Sequence, residues 1–476
     1  MAIELGNSRI TRRKLLRLAG VGAGVLVAGC APRIVEVTKI VKEVIQETVE
    51  VEKVVEKVVK ETVEVEVVKP AVKPSGKVIF WGHDDHPHDL AATGFVEKYP
   101  DVEFVSPHPA DRGAKLRAAF AAGTGCPDLY WAEASEAQDF ACSDLLTDLT
   151  EELIEEKDHY HPLKWNETVL PKDGKNYGWP GDISVSGWYY RADILEKLGY
   201  GDIDFDTWTW DDFIIMSSEL AKQGKYTCIL PASGWYLGVP FQFQMHLRGG
   251  SLVSKDGQEV TIDNEIGLAA FTTIKQIYDT GAALDAPWLE PPYYVGMKED
   301  ELIGQFAAAW ETGFWESNLT VEEGGLGTWR VAKLPAGEGV KYRTAIFGGA
   351  MLINPKCSEN RDNAILFMRY SLGSLEGAAL CGTWGIIPAY HPYLESPLFL
   401  KGKTALLGDW LHNEFWAAQE RELSLEYVRP AGWDAVNGAV AKVMEEVLAG
   451  DLSPEEGVAK ADELAKPDFE RTYCKS

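Results

Sequence analysis

Short apolar runs alternate with helix-period segments from residue 77 onward, and that alternation narrows the fold more than any other feature. Lys77-Val78-Ile79-Phe80-Trp81, Val102-Glu103-Phe104-Val105 and Asp128-Leu129-Tyr130-Trp131-Ala132 each have the length of a buried strand. Residues 89–98 and 115–122 lie between them with helical texture, the second stopped by Gly123. Such units predict βαβ crossovers and a mainly parallel sheet, an α/β class. Ligands of these sheets sit beyond the strand carboxyl ends, where residues 82–88 and 133–136 fall. Further helices are predicted near 211–222, 266–280, 360–370 and 435–448, and no internal repeat is evident.

Ahead of this globular part the chain has a different texture. Thr11-Arg12-Arg13-Lys14-Leu15-Leu16 precedes an apolar run over 18–28, too short to span a membrane and of the length of a signal core. The run ends at Val27-Ala28-Gly29-Cys30, which resembles a bacterial lipoprotein cleavage site behind a twin-arginine export signal. That implies a signal peptide over 1–29 and lipidation at Cys30. The acyl chain would then hold the protein on the outer face of the cytoplasmic membrane. Residues 31–74 are almost wholly Val, Ile, Glu, Lys and Thr. Val37, Val41, Val44, Thr48, Val51, Val55, Val58, Thr62 and Val65 step by four and three, an a/d heptad pattern. A charged stalk over 30–76, coiled-coil or extended, is expected to space the globular part from its anchor.

Composition excludes several function classes. The 476 residues carry a formal charge of -27, the wrong sign for binding phosphate backbones, so no nucleic-acid partner is expected. The six cysteines after Cys30 show no C-x-x-C spacing, so no zinc is indicated, and their pairing is not readable from spacing. No P-loop or nucleophile-elbow motif appears, and no cofactor is expected. Sixteen tryptophans fit either a large core or a site that stacks flat ligands. Two enzymatic alternatives remain. Three His and three Asp crowd residues 82–89, a set that metal-dependent hydrolases use. Asp85, Glu133 and Glu311 in turn offer the carboxyls a glycoside hydrolase holds about 5 Å or about 6.5–9.5 Å apart.

An ordered series of segments then points to one family. It runs Phe95-x-x-Lys98-Tyr99-Pro100-Asp101-Val102, Lys115-Leu116 before Ala121-Ala122-Gly123, Pro127-Asp128-Leu129, Leu145-Leu146-x-Asp148-Leu149-Thr150 and Tyr177-Gly178-Trp179-Pro180. Tyr189-Tyr190-Arg191-Ala192-Asp193, Thr207-Trp208-Thr209-Trp210-Asp211-Asp212-Phe213, Gly249-Gly250, Gly304-Gln305-Phe306-Ala307, Leu334-Pro335 and Ile387-Pro388-Ala389 complete it. Over about residues 77 to 460 this resembles the carbohydrate (maltodextrin-binding) type of extracellular solute-binding protein of ABC importers. Arg191, where the family usually has Asn, and Cys126 depart from the pattern.

The resemblance implies a periplasmic-binding-protein-like fold: two α/β lobes with a hinge and three crossovers. Lobe one would comprise 77–183 and 348–388, lobe two 184–347 and 389–476. It implies a carbohydrate ligand held in the cleft between them, ABC permease subunits as partners, and no catalysis. A pyranose needs aromatic platforms for its C–H faces and hydrogen-bonding groups for its hydroxyls. By resemblance Asp85, His86 and Glu133 reach the cleft from lobe one, and Trp235, Tyr236, Trp310, Glu311 and Phe314 from lobe two. Trp433, with Arg429 before it, matches a late position that stacks a sugar ring. Trp81, Trp131, Trp208 and Trp210 are expected to be packing residues.

Overall fold

A computed structural model of the chain describes residues 73–83, 86–472 and 474. The leader, Cys30, the stalk up to residue 72, and Asp85 lie outside the described residues. The described residues belong to one compact unit, Val68–Ser476. The chain opens with β1 (Gly76–Trp81), α1 (Pro87–Lys98), β2 (Val102–Val105), α2 (Arg112–Ala122), β3 (Leu129–Glu133) and α3 (Ala134–Cys142). After α4 (Pro162–Thr168) come β4 (Trp179–Pro180), β5 (Val185–Arg191), α5 (Trp210–Ala221), β6 (Cys228–Ile229), α6 (Gly238–Leu247) and α7 (Glu265–Asp279). Then follow β7 (Ala283–Leu284), β8 (Gly304–Ala308), α8 (Glu311–Asn318), β9 (Trp329–Ala332), β10 (Ala345–Ile346) and β11 (Ala350–Ile353). Towards the end of the chain come α9 (Arg361–Gly373), α10 (Leu375–Gly382), a helix over His412–Arg421, α11 (Trp433–Ala449) and α12 (Pro454–Thr472).

The α/β class holds, but the expected parallel sheet is only half realised. One sheet has the order β2-β1-β3-β11-β4, with β1 parallel to β2 and β3 and with β11 antiparallel to β3 and β4. In the second sheet β5 is central and runs antiparallel to β8, β9 and β10. The reversed strands, β5 and β11, are the two by which the chain enters a sheet from the other one. Each therefore starts where its neighbours end: Ala350 opposes Glu133, and Ser186 opposes Ala308.

Side-chain chemistry explains several of the motifs. Asp128 is buried, and its carboxylate accepts from Ile79 N at 2.8 Å, Ser358 Oγ at 2.7 Å and Asn360 N at 3.1 Å. It thus joins β1 to the start of α9, and a disulfide from Cys126 to Cys357 closes the same junction. Thr209 and Asp212 form a reciprocal capping box at the head of α5, which satisfies two otherwise orphaned backbone donors. Trp179, Trp188, Trp315, Trp329 and Trp416 are fully buried, so much of the tryptophan excess is core. Trp131, Trp208 and Trp210 are buried as well.

Three strand-like segments cross between the sheets side by side. Ile183 N donates to Ile387 O at 2.8 Å and Ala389 N to Gly181 O at 2.7 Å, while Phe347 N donates to Ser184 O at 3.1 Å. Gly181 is required here, because a Cβ would lie 2.2 Å from Ala350 O. Beyond the third crossing, short helices His391–Leu394 and Pro397–Leu400 fold back onto α10. A second disulfide links Cys142 to Cys474.

Candidate functional site

The site grows from segments that the two sheets bring to their crossings. Trp235 begins a 3-10 turn, Trp235–Leu237, just beyond β6. Trp288 lies in the loop after β7, Trp310 heads α8, Phe314 sits one turn along α8, and Phe347 precedes β11. Their rings form a continuous row. Ring centroids are 5.4 Å apart for Trp235 and Trp288, 5.7 Å for Trp288 and Trp310, 5.9 Å for Trp310 and Phe314, and 5.0 Å for Phe314 and Trp384. Phe347 backs the row, 5.5 Å from Trp288 and 5.4 Å from Trp310. Trp235 is 56% exposed, while Trp288, Trp310, Phe314 and Trp384 are each partly open to solvent. Edge-to-face contacts of this kind hold each indole by its neighbours and leave faces available.

Sequence reasoning missed Trp288, Phe347 and Trp384 as members of this row. Trp288 follows Pro287 immediately beyond a short strand, the place where ligand loops of such sheets occur, and that position was its available signal. Phe347 and Trp384 lie at crossings.

Other expected ligand residues are turned to the protein itself. Glu311 is buried; its Oε2 accepts from Trp288 Nε1 at 2.8 Å and its Oε1 from Ala308 N at 3.0 Å. Its place at the head of α8 aims it inward, so it holds an indole and faces no cleft. Burial pushes its carboxyl up to about 8, against the two donors. Tyr236 is buried beneath Trp288, stacked at 5.8 Å, and its hydroxyl accepts from Gln305 Nε2 at 2.7 Å. Trp433 is only 6% exposed in the first turn of α11, so it presents no free face for stacking.

Arg429 also differs from expectation. It is buried, and Nε and Nη2 donate to the Glu167 carboxylate at 2.7 and 3.0 Å, while Nη2 also donates to Gly349 O at 2.7 Å. Lys164, fully buried, donates to the same Glu167 carboxylate and to Gly349 O. Burial alone would raise Glu167, yet Arg429 and Lys164 outweigh it and hold the carboxyl below its usual range. Burial opposes the charge on Arg429 too, but Glu167 overcomes that and raises it. A buried cation with every strong acceptor near it engaged is structural.

Glu133 ends β3 at its carboxyl end, with 48% of its side chain open. The protein around it strips water and raises its carboxyl, although Arg429 Nη1 at 3.4 Å pulls the other way. It borders a groove of about 660 Å³ whose walls include Phe120, Phe140, Glu136, Asp139 and Asp434. Desolvation likewise pushes Asp139 up to about 7.

His86 departs from its expected role. It is buried against Phe80 and Trp131, with centroids at 5.0 and 5.1 Å, and caps α1 by accepting from His88 N at 3.2 Å. His108 ties back to Asp89 at 2.6 Å, so this histidine cluster packs the head of α1. Among the described residues no group of three or more His, Cys, Asp or Glu is arranged to hold a metal ion. Burial lowers His88 to about 3. As pH falls below 6.5 the unfolded chain gains a proton that folded His88 refuses, so stability drops by about 1.4 kcal/mol per pH unit until about pH 3. Urea midpoints at pH 7, 6, 5 and 4 should therefore fall less steeply for His88→Phe than for the parent chain.

Comparison with known proteins agrees with this architecture. Residues 91–408 match the family described as bacterial extracellular solute-binding protein. The lactose-binding protein of Rhizobium radiobacter is 26% identical over 305 residues, 62% of this chain and 70% of that protein. The arabinooligosaccharide-binding protein of Bacillus subtilis (strain 168) is 23% identical over 292 residues, 59% and 65% of the two lengths. In fold, the galacto-N-biose-/lacto-N-biose I-binding protein of the ABC transporter from Bifidobacterium longum, solved with lacto-N-biose, superposes with a TM-score of 0.69 at 19% identity, over 83% of this chain and 97% of that one. The matched region takes in the second sheet, every strand of the first but β1, and all three crossings, and the chain belongs to the bacterial extracellular solute-binding protein family.

Proposed function

We propose that this protein captures a sugar or oligosaccharide and delivers it to the permease of an ABC importer. The observation that carries the reading is the row Trp235–Trp288–Trp310–Phe314–Trp384. Flat C–H faces of a pyranose pack on such rings, and the half-open carboxylate of Glu133 accepts from hydroxyls. The named relatives bind lactose, arabinooligosaccharides and lacto-N-biose, which supports the class without naming this chain's ligand.

In this reading residues 77–183 with 348–388 form one lobe and 184–347 with 389–476 the other, although 391–400 pack back on α10 of the first. Ligand adds contacts found only in the closed arrangement and shifts an open–closed equilibrium. No bond is made or broken. The hydrolase alternative loses a carboxyl, since both oxygens of Glu311 are held by protein donors. Export with a signal peptide over 1–29, lipidation at Cys30 and a spacer over 30–76 complete the proposal. Two disulfides support an oxidising compartment outside the cytoplasm.

Calorimetric titration against mono-, di- and oligosaccharides tests it. One saccharide is expected to bind with micromolar or tighter affinity, and Trp235→Ala to weaken it about tenfold while leaving the unfolding midpoint unchanged. A chain that binds amino acids or peptides but no saccharide would refute the assignment.

A further inference from the structure

The helix α3 starts at a crossing and runs outward from it. Glu133, just before it, pairs with Ala350, and α3 packs on β3 and β11 of the five-stranded sheet and on α4. Three of its residues are bonded to the C-terminal segment. Ser135 Oγ donates to Asp434 Oδ2 at 2.7 Å, Gly432 N donates to Asp139 Oδ1 at 3.1 Å, and Cys142 is joined to Cys474. These positions are spaced i, i+4 and i+7, one face of the helix. Their partners, near residues 433 and 474, meet because α11 and α12 pack against each other with similar lengths, 17 and 19 residues, so the chain returns to its starting level. The hairpin itself rests on α6 and α7, and α6 rests on β10 of the other sheet.

We propose that the Cys142–Cys474 bridge is a covalent tether between the two halves, added to the three crossings, and that it limits how far the groove bordered by Glu133 opens. The proposal rests on the two-lobe binding reading above. Cys142 lies nine residues past Glu133, about 13 Å along the helix, so the bridge acts on a long arm from the crossing. It holds its two Cα atoms 5.4 Å apart. Disulfides tolerate up to about 6.8 Å, and a slack of about 1.4 Å on a 13 Å arm allows about 6° of opening across the helix. Ser143 and Leu145, beside the bridged cysteine, line the 660 Å³ groove, so the tether bounds its edge.

With the bridge intact the ligand-free protein keeps its groove nearly assembled. Binding then gives up little to conformational selection, and release is slow. Without it the C-terminal segment keeps the two hydrogen bonds along α3 and, at the crossing, the bonds of Arg429 to Glu133, Glu167 and Gly349.

The test compares the full exported chain with Cys474→Ser and, separately, Cys142→Ser. A third protein, Cys126→Ser/Cys357→Ser, is the control, because that bridge joins the loop before β3 to the turn after β11, both next to strands of the five-stranded sheet. Small-angle scattering of the ligand-free proteins should show a larger radius of gyration for both tether variants and none for the control. Ligand dissociation, followed by tryptophan fluorescence with the saccharide found by titration, should quicken about three- to tenfold in the tether variants only. Parental dimensions and parental dissociation in folded Cys474→Ser would overturn the tether. Failure of every saccharide to bind would strike the proposed function instead, and the ligand-free scattering would still decide the tether.

Discussion

Arg429→Ala is expected to destabilise the protein by about 3–5 kcal/mol, the largest effect of any single substitution considered. The guanidinium is buried and closes a set of bonds that no other side chain can replace. It neutralises Glu167 together with Lys164, and it shares the Gly349 carbonyl with that lysine. Removal leaves Glu167 with one cation instead of two, and Glu167 is buried enough that this loss cannot be made up by water. Arg429→Lys should recover only part of the loss, since an ammonium cannot reproduce the two-pronged contact with the carboxylate. Urea unfolding of Arg429→Ala, Glu167→Gln and the double variant measures the coupling. A double variant as damaged as the sum of the single ones would show that the pair is not a unit.

Trp288→Ala is expected to weaken ligand binding by about 30-fold or more, on the scale at which buried tryptophan anchors act in interfaces. Its indole touches Trp235, Tyr236, Trp310 and Phe347, so its loss unseats the rings on either side of it. Its edge is fixed by the bond from Nε1 to Glu311. Glu311→Gln should fall between parent and Trp288→Ala, because an amide accepts at one oxygen only while Glu311 receives two donors. Circular dichroism and unfolding midpoints separate a lost platform from a lost fold. Calorimetric affinity equal to the parent's in folded Trp288→Ala would remove the aromatic row from the ligand site.

The strands and helices of the first 60 globular residues were legible because each is short, apolar or periodic, and bounded by Gly, Pro or Asp. The antiparallel strands were not, since direction depends on where a strand enters its sheet, and β5 and β11 enter from the other one. Trp235, Trp310 and Phe314, which the structure brings into one row, were named from their order along the chain. Trp288 and Trp384 were not, because a lone tryptophan in a loop looks the same whether it is packed or offered. Glu311, Arg429 and Trp433 were read as ligand groups from position alone. Their neighbours decide otherwise: an acid beneath an indole and a cation paired with Glu167 are already spoken for, and no spacing rule reports a partner 262 residues away.

The carbonyl of Gly349 has one more consequence. Two buried cations, Lys164 and Arg429, both donate to it, while the neighbouring passages at 181–184 and 387–389 are joined mainly by backbone bonds. The three connections therefore differ in stiffness. In the proposed two-lobe motion the passage at Gly349 is the one held by charged side chains as well as backbone, and the other two are expected to absorb more of the twist.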